Sequence, residues 1–217
     1  MDYSPGLRGV IAGETEISTV GMEGTSLRYR GYDAVGLTST NTYEDVASLI
    51  IDDDLDGELF KKSFSNHYKK LSEDSELIQL INRLKTEQHP MDVIRTAISY
   101  IGEADESNKL DAASKVTAIA CLAIASYNKE SSDVLDQKYT VASSLLPNSS
   151  TEQQLEALDD MLILYAEHGF NASTFAARVT ASTRSDLISA IVSGVGTLKG
   201  ELHGGANEAA VELINSF

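Results

Sequence analysis

The sequence predicts an all-α fold of many helices, with a small β-hairpin region near the N-terminus. Three observations carry this. Only three prolines occur in 217 residues, which leaves room for long helices. Residues 1–40 are interrupted repeatedly by glycine, from Gly6 to Gly36, and carry β-branched and aromatic residues between turn signals. From Thr42 onward, apolar residues recur at the three- and four-residue spacing of one helix face. The chain therefore reads as Gly-rich strands and turns over 1–40 and as helix over 41–217.

Within the first part, Arg8, Arg28 and Arg30 are expected to pair locally with Glu14, Glu16 and Glu23. Thr42 then stands as an N-cap with acids in the first turn behind it, and Val46, Leu49 and Ile50 share a face. A second helix carries Leu59, Phe60, Phe64, Tyr68 and Leu71; its Lys-rich setting makes His67 a solvated surface histidine. A third turns Leu77, Leu80, Ile81 and Leu84 inward. Pro90 fits the first turn of a fourth, with Asp92 complementing the helix dipole and Ile94, Ala97, Ile98 and Ile101 as the buried stripe. His89, just ahead of it, reads as a structural turn residue. SNKLDAASKVTAIACLAIASYNKE is apolar nearly all round in its second half and should be buried. A short helix over Tyr139–Leu146 follows. A capped one then runs through LEALDDMLILYAEH. Two more, Ala172 to about Ala181 and Ser185 to about Lys199, are rich in Ala, Ser, Thr and Gly. Such side chains permit close approach, within a tight core or across a subunit interface.

The formal net charge of −16 argues against nucleic acid and anionic membrane as partners, since both would repel the chain. The one cysteine, Cys121, cannot form an internal disulfide, lies in an apolar run and reads as a small core residue. That run is too short to cross a bilayer, and MDYSPGLRG is not a signal peptide; the expected location is the cytoplasm.

Two of the four histidines sit in glycine- and serine-containing settings near the C-terminus: His168 in AEHGFNAS and His203 in LHGGANE. Glycine lets backbone approach a ligand closely, and a following helix N-terminus favours an anion. The pair suggests a carboxylate-binding cleft.

Several stretches together resemble the citrate synthase family, including its 2-methylcitrate synthase relatives. They are GLRGVIAGETEIS (6–18), LRYRGYD (27–33), HPMDVIRTAIS (89–99), LILYAEHGFNASTFAARVTAS (162–182) and LKGELHGGANEAA (198–210). The resemblance implies an all-α, multi-helical large domain, with His203 as the catalytic histidine that hydrogen-bonds the thioester carbonyl of acetyl-CoA. It makes His168 the histidine that binds oxaloacetate and Ser173 the hydroxyl that orients the catalytic imidazole. Asn171 and Asn207 become local organisers of the two loops, and the 172–199 helices become packing surfaces of a homodimer or hetero-oligomer. No metal or other cofactor is implied; acetyl-CoA enters as a substrate.

The sequence departs from that family in ways that matter chemically. The family's second catalytic histidine with its arginine, the aspartate base and later oxaloacetate-binding arginines follow the HGGAN motif, and they are not among these residues. Glu201 stands where proline is usual, and Arg184 where an apolar residue is usual. The small domain is expected to be absent, so that 1–217 is an incomplete large domain. A general acid–base group contributes about 10²–10⁴-fold. The isolated chain is therefore expected to have little or no synthase activity and to need a separate C-terminal subunit. The competing expectation is a non-catalytic helical paralogue, an oligomerisation or regulatory module of a citrate synthase.

Overall fold

The computed structural model describes residues 13–21, 26–127 and 139–204. Its N-terminal part is a three-stranded antiparallel sheet in the order β1-β2-β3: β1 Ser18–Thr19, β2 Arg28–Tyr29 and β3 Tyr32–Asp33. Ser18 opposes Tyr29, and Tyr29 opposes Tyr32. The β2–β3 turn uses Arg30 at φ 48° and Gly31 at φ 90°, the left-handed conformations a tight hairpin requires.

The strands stop earlier than expected. Asp33 accepts a hydrogen bond from Gly36 N–H at 3.0 Å and caps a short helix, α1 (Ala34–Thr38). The capping aspartate outweighs the strand-like composition of DAVGL. The arginines also find other partners. Arg30 donates to Ile50 O at 3.2 Å and lies 3.8 Å from Asp53, while Arg28 donates to Gly31 O at 3.1 Å. The hairpin turn sends Arg30 toward the end of the second helix, at Ile50 and Asp53, instead of toward the glutamates. Arg8 and Glu23 lie outside the described residues.

Helix α2 (Tyr43–Asp52) opens with a capping box. Thr42 Oγ1 accepts Asp45 N–H, and Asp45 Oδ2 accepts Thr42 N–H at 2.8 Å. The other carboxylate oxygen of Asp45 accepts Gly57 N–H at 2.9 Å, which fixes the entry to α3 (Glu58–Ser72). A Cβ on Gly57 would lie 2.5 Å from Asp45 N, so no larger residue fits that turn. On α3, Phe60, Phe64 and Tyr68 are buried as their spacing predicts, but Leu59 is exposed. His67 is not a solvated histidine: Nε2 lies 3.0 Å from Asp111 Oδ1, which also accepts Ser63 Oγ–H at 2.9 Å. The i, i+4 spacing of Ser63 and His67 brings both onto the N-terminal turn of the central helix.

That central helix is α6 (Lys109–Ala125), buried on most of its circumference. It is surrounded by α2, α3, α5 (Pro90–Tyr100) and α7 (Val141–Leu145). α4 (Ser75–Leu84) closes the side against α3 and α5. Phe64, Leu77, Ile81, Val93, Ala118 and Ile119 form the centre of one continuous apolar core. A second cluster joins the sheet to the helices: Tyr29, Leu37, Val46 and Leu49 pack on Ile163 of α8 (Glu152–Leu164). Tyr29 is fully buried and donates its hydroxyl to Ile163 O at 2.8 Å.

Helices α9 (Ala172–Ser182) and α10 (Leu187–Leu198) lie along each other, and α10 packs on α5. Their small residues do allow close approach: a Cβ on Gly194 would sit 3.4 Å from Ser173 O and 3.6 Å from Ala177 Cβ. No residue of α9 is buried, however, and Val179 is 51% exposed, so α9 is not part of an internal core. Among the described residues, no helix is long and apolar enough to cross a membrane.

Candidate active site

The loop bearing His168 begins where α8 ends. The helix stops at Leu164, four residues short of the expected limit, because Tyr165 leaves the helical conformation at φ −98°, ψ 0°. Glu167 then accepts Gly169 N–H with both carboxylate oxygens, at 2.8 and 2.9 Å, and Gly169 turns the chain at φ 87°. The buried hydroxyl of Tyr29 holds the last turn of α8 from below; burial raises its pKa. On the far side of the loop, Arg178 stacks over the Phe170 ring at 4.8 Å.

Asn171 ends this loop as the N-cap of α9. Its Oδ1 accepts Thr174 N–H at 2.8 Å and Ser173 Oγ–H at 2.6 Å, and its Nδ2 lies 3.3 Å from His168 Nε2. Ser173 Oγ in turn lies 3.0 Å from His203 Nε2. Four of the five residues singled out in the sequence thus form one hydrogen-bonded line: His168, Asn171, Ser173, His203. Asn207 lies outside the described residues, as does the helix expected to follow His203.

His203 reaches Ser173 from a turn just beyond α10. Its N–H donates to Gly200 O at 2.9 Å, and Gly204 N–H donates to Leu198 O at 2.9 Å. A Cβ on Gly204 would lie 2.3 Å from Leu198 O, so this glycine is required by close approach. Below the turn, Lys199 Nζ contacts Asp92 Oδ2 at 2.5 Å, and Arg95 pairs with Asp92 Oδ1 at 2.9 Å. The Lys199 hydrogen bond, with its charge and that of Arg95, holds the Asp92 carboxyl below the usual range. The end of α10 is thereby tied to the first turn of α5. His89 is the N-cap of α5, its Nδ1 accepting Met91 N–H at 3.2 Å, and it is structural as its position predicts.

Hydrogen-bond donors and acceptors set the proton positions along the line. A backbone N–H can only donate, so Thr174 requires oxygen at the facing atom of Asn171. That oxygen can only accept, so Ser173 spends its single proton on it. Ser173 Oγ also faces His203 Nε2 at 3.0 Å. Asn171 Nδ2–H points at His168 Nε2.

Sequence reasoning missed Glu167, Asp92 and Lys199. Glu167 stands beside His168 and its side-chain-to-backbone turn is a local signal. Asp92 and Lys199 are 107 positions apart and only the fold joins them. No group of three or more His, Cys, Asp or Glu among the described residues is arranged to hold a metal ion.

The family model described as "Citrate synthase, C-terminal domain" matches residues 6–217. The chain is similar to 2-methylcitrate synthase of Shewanella oneidensis, with 38% identity over 98% of this chain and 60% of that protein. It is also similar to the citrate/2-methylcitrate synthase of Bacillus subtilis, with 36% identity over 98% of this chain and 61% of that one. Among solved structures, citrate synthase from Thermotoga maritima aligns with a TM-score of 0.80 and 28% identity, covering 98% of this chain and 60% of its own. A Thermoplasma acidophilum citrate synthase shares the fold at a TM-score of 0.83 and 23% identity. The chain spans about three fifths of the length of the curated relatives it matches. The match of the family model along almost the whole sequence shows that the chain belongs to the citrate synthase family.

Proposed function

We propose that this chain supplies the His168–His203 part of a citrate-synthase-type acyltransferase site, which condenses an acyl-CoA with oxaloacetate or a related 2-oxo acid. The observation that carries this reading is the continuous line from His168 through Asn171 and Ser173 to His203. His168, exposed at the entry to α9, suits a carboxylate of the 2-oxo acid. His203 suits the thioester carbonyl, where a donated hydrogen bond stabilises the enolate that forms when the acyl carbon loses a proton. The reaction draws on no metal or prosthetic group.

Proton removal from the acyl carbon needs a base. In this reading the base, the second histidine and the remaining carboxylate clamps come from a portion of the enzyme beyond these 217 residues. The chain acts as a large domain with its small domain supplied in that way, and it works in the cytoplasm. Self-association or pairing with a second chain runs through the 172–199 helices. The exposed Phe175 and Val179 of α9 and Leu198 of α10 are the apolar side chains that such pairing would cover.

The test is a thiol-release assay with acetyl-CoA or propionyl-CoA and oxaloacetate, on the chain alone and mixed with a polypeptide carrying the missing histidine and aspartate. Activity only in the mixture, abolished by His203→Ala, supports the reading. No activity in any mixture, together with no oxaloacetate binding by calorimetry, overturns it in favour of a non-catalytic oligomerisation module.

A further inference from the structure

We propose that Tyr29 is a positioning residue for His168: its hydroxyl takes the place of the next hydrogen bond of α8, ends that helix and so fixes where the histidine is presented. The proposal deepens the function above and rests on it for its catalytic meaning; the helix end itself does not depend on any substrate.

In an α-helix each carbonyl accepts from the amide four residues further on. Were α8 to continue past Leu164, Ile163 O would accept Glu167 N–H. The Tyr29 hydroxyl stands between that pair. It donates to Ile163 O at 2.8 Å, and the backbone amides of Glu167 and Ala166 face its oxygen. A side chain inserted into the ladder in this way breaks it. The chain closes with a tighter bond instead, Ala166 N–H to Ile163 O at 3.2 Å, and Tyr165 leaves the helical region. The residues from Tyr165 to His168 do not stop a helix by themselves. They include neither glycine nor proline, and Ala166 and Glu167 are good helix formers. The stop is imposed by a side chain 134 positions away.

The ring is held firmly enough to do this. Tyr29 is fully buried in the cluster with Val46, Leu49 and Ile163, on the central strand of the sheet. A phenol hydroxyl both donates and accepts, so one group serves the carbonyl and the amides that the interrupted helix leaves over. The same N-terminal segment reaches the loop beyond. A Cβ on Gly13 would lie 3.3 Å from Phe170 Cζ, and one on Gly169 would lie 3.9 Å from Val20 Cγ2. With α8 ended at Leu164, Glu167 accepts Gly169 N–H with both oxygens, and His168 stands exposed ahead of α9. With one more turn of helix, His168 would ride on α8 and leave Asn171. The N-terminal sheet therefore sets the position of a histidine that lies far from it in sequence.

Backbone carbon NMR shifts report helix residue by residue and test this directly. Tyr29→Phe keeps the ring and removes the hydroxyl. Residues 165–168 should move toward helical shifts as Glu167 N–H takes Ile163 O, and oxaloacetate affinity by calorimetry should fall about tenfold or more. Val46→Ala opens a cavity in the same cluster and spares the hydroxyl. It should lower stability to urea and leave both readouts at wild-type values. Wild-type shifts and affinity in Tyr29→Phe overturn the proposal. So do equal changes in the two variants, because Tyr29 would then act by packing alone. Helical shifts at 165–168 in wild type overturn it without any variant. If wild type binds no oxaloacetate while the carbon shifts behave as stated, the proposed function falls and the helix stop stands.

Discussion

Replacing Asp159 by asparagine should stabilise this protein at neutral pH and leave it unchanged in acid. Asp159 sits on α8 and accepts Tyr43 N–H, the first amide of α2, at 3.0 Å. Glu44 beside it is only 1% exposed; its Oε1 accepts Val141 N–H at 2.8 Å and its Oε2 has no hydrogen-bond partner among the described residues. Burial, then the Glu44 charge, pushes the Asp159 carboxyl up from 3.8 to about 6. At about 1.4 kcal/mol per pH unit this amounts to about 3 kcal/mol, and solvent access to a half-buried group reduces it to about 1–2 kcal/mol. The folded value lies above the unfolded one, so between about pH 4 and pH 6 the native state binds more protons. Stability is highest with Asp159 protonated, falls as pH rises through that window and is fully reduced above it. Asparagine keeps an oxygen for Tyr43 N–H and removes the charge. Urea unfolding followed by circular dichroism should show Asp159→Asn more stable than wild type by about 1–2 kcal/mol at about pH 7.5, with the gap closing toward about pH 4. Equal stability at the higher pH, or a gap that does not change with pH, would refute the reasoning.

Three further outcomes can be measured. Burial pushes the Cys121 thiol up to about 12, so a thiol reagent should label native protein only through opening, with the rate climbing as denaturant is added. Gly204→Ala forces a Cβ to within 2.3 Å of Leu198 O, and the turn must shift. It should cost about 1–3 kcal/mol in denaturant unfolding and release His203 from Ser173, seen as a change in the His203 ring resonances. Lys199→Met removes the main cause of the lowered Asp92 carboxyl, which should then titrate at higher pH in an NMR titration.

Much of the fold was legible because helix formation is largely local. The Thr42–Asp45 capping box, the Pro90 first turn and the Phe60–Phe64–Tyr68 stripe each lie within one element and follow from spacing alone. The misreadings fall where a distant partner or a local cap decided. DAVGL has strand-like neighbours but follows an aspartate cap, and Lys-rich surroundings hid that α6 places Asp111 beside His67. Arg30 left its near glutamates because a left-handed hairpin turn aims it at α2.

For the candidate site, the sequence by itself singled out His168, Asn171, Ser173 and His203, through two short motifs and their family resemblance. It also determined the Asn171 cap, which needs only a three-residue reach to Thr174. Tertiary structure decided what these residues do to one another. Ser173 and His203 are 30 positions apart and meet only because α9 and α10 pack closely through small side chains. The direction of each proton along that line depends on which atoms face each other across the packing. Spacing in a sequence does not encode that, because a hydrogen bond's polarity is set by the full set of neighbours in space.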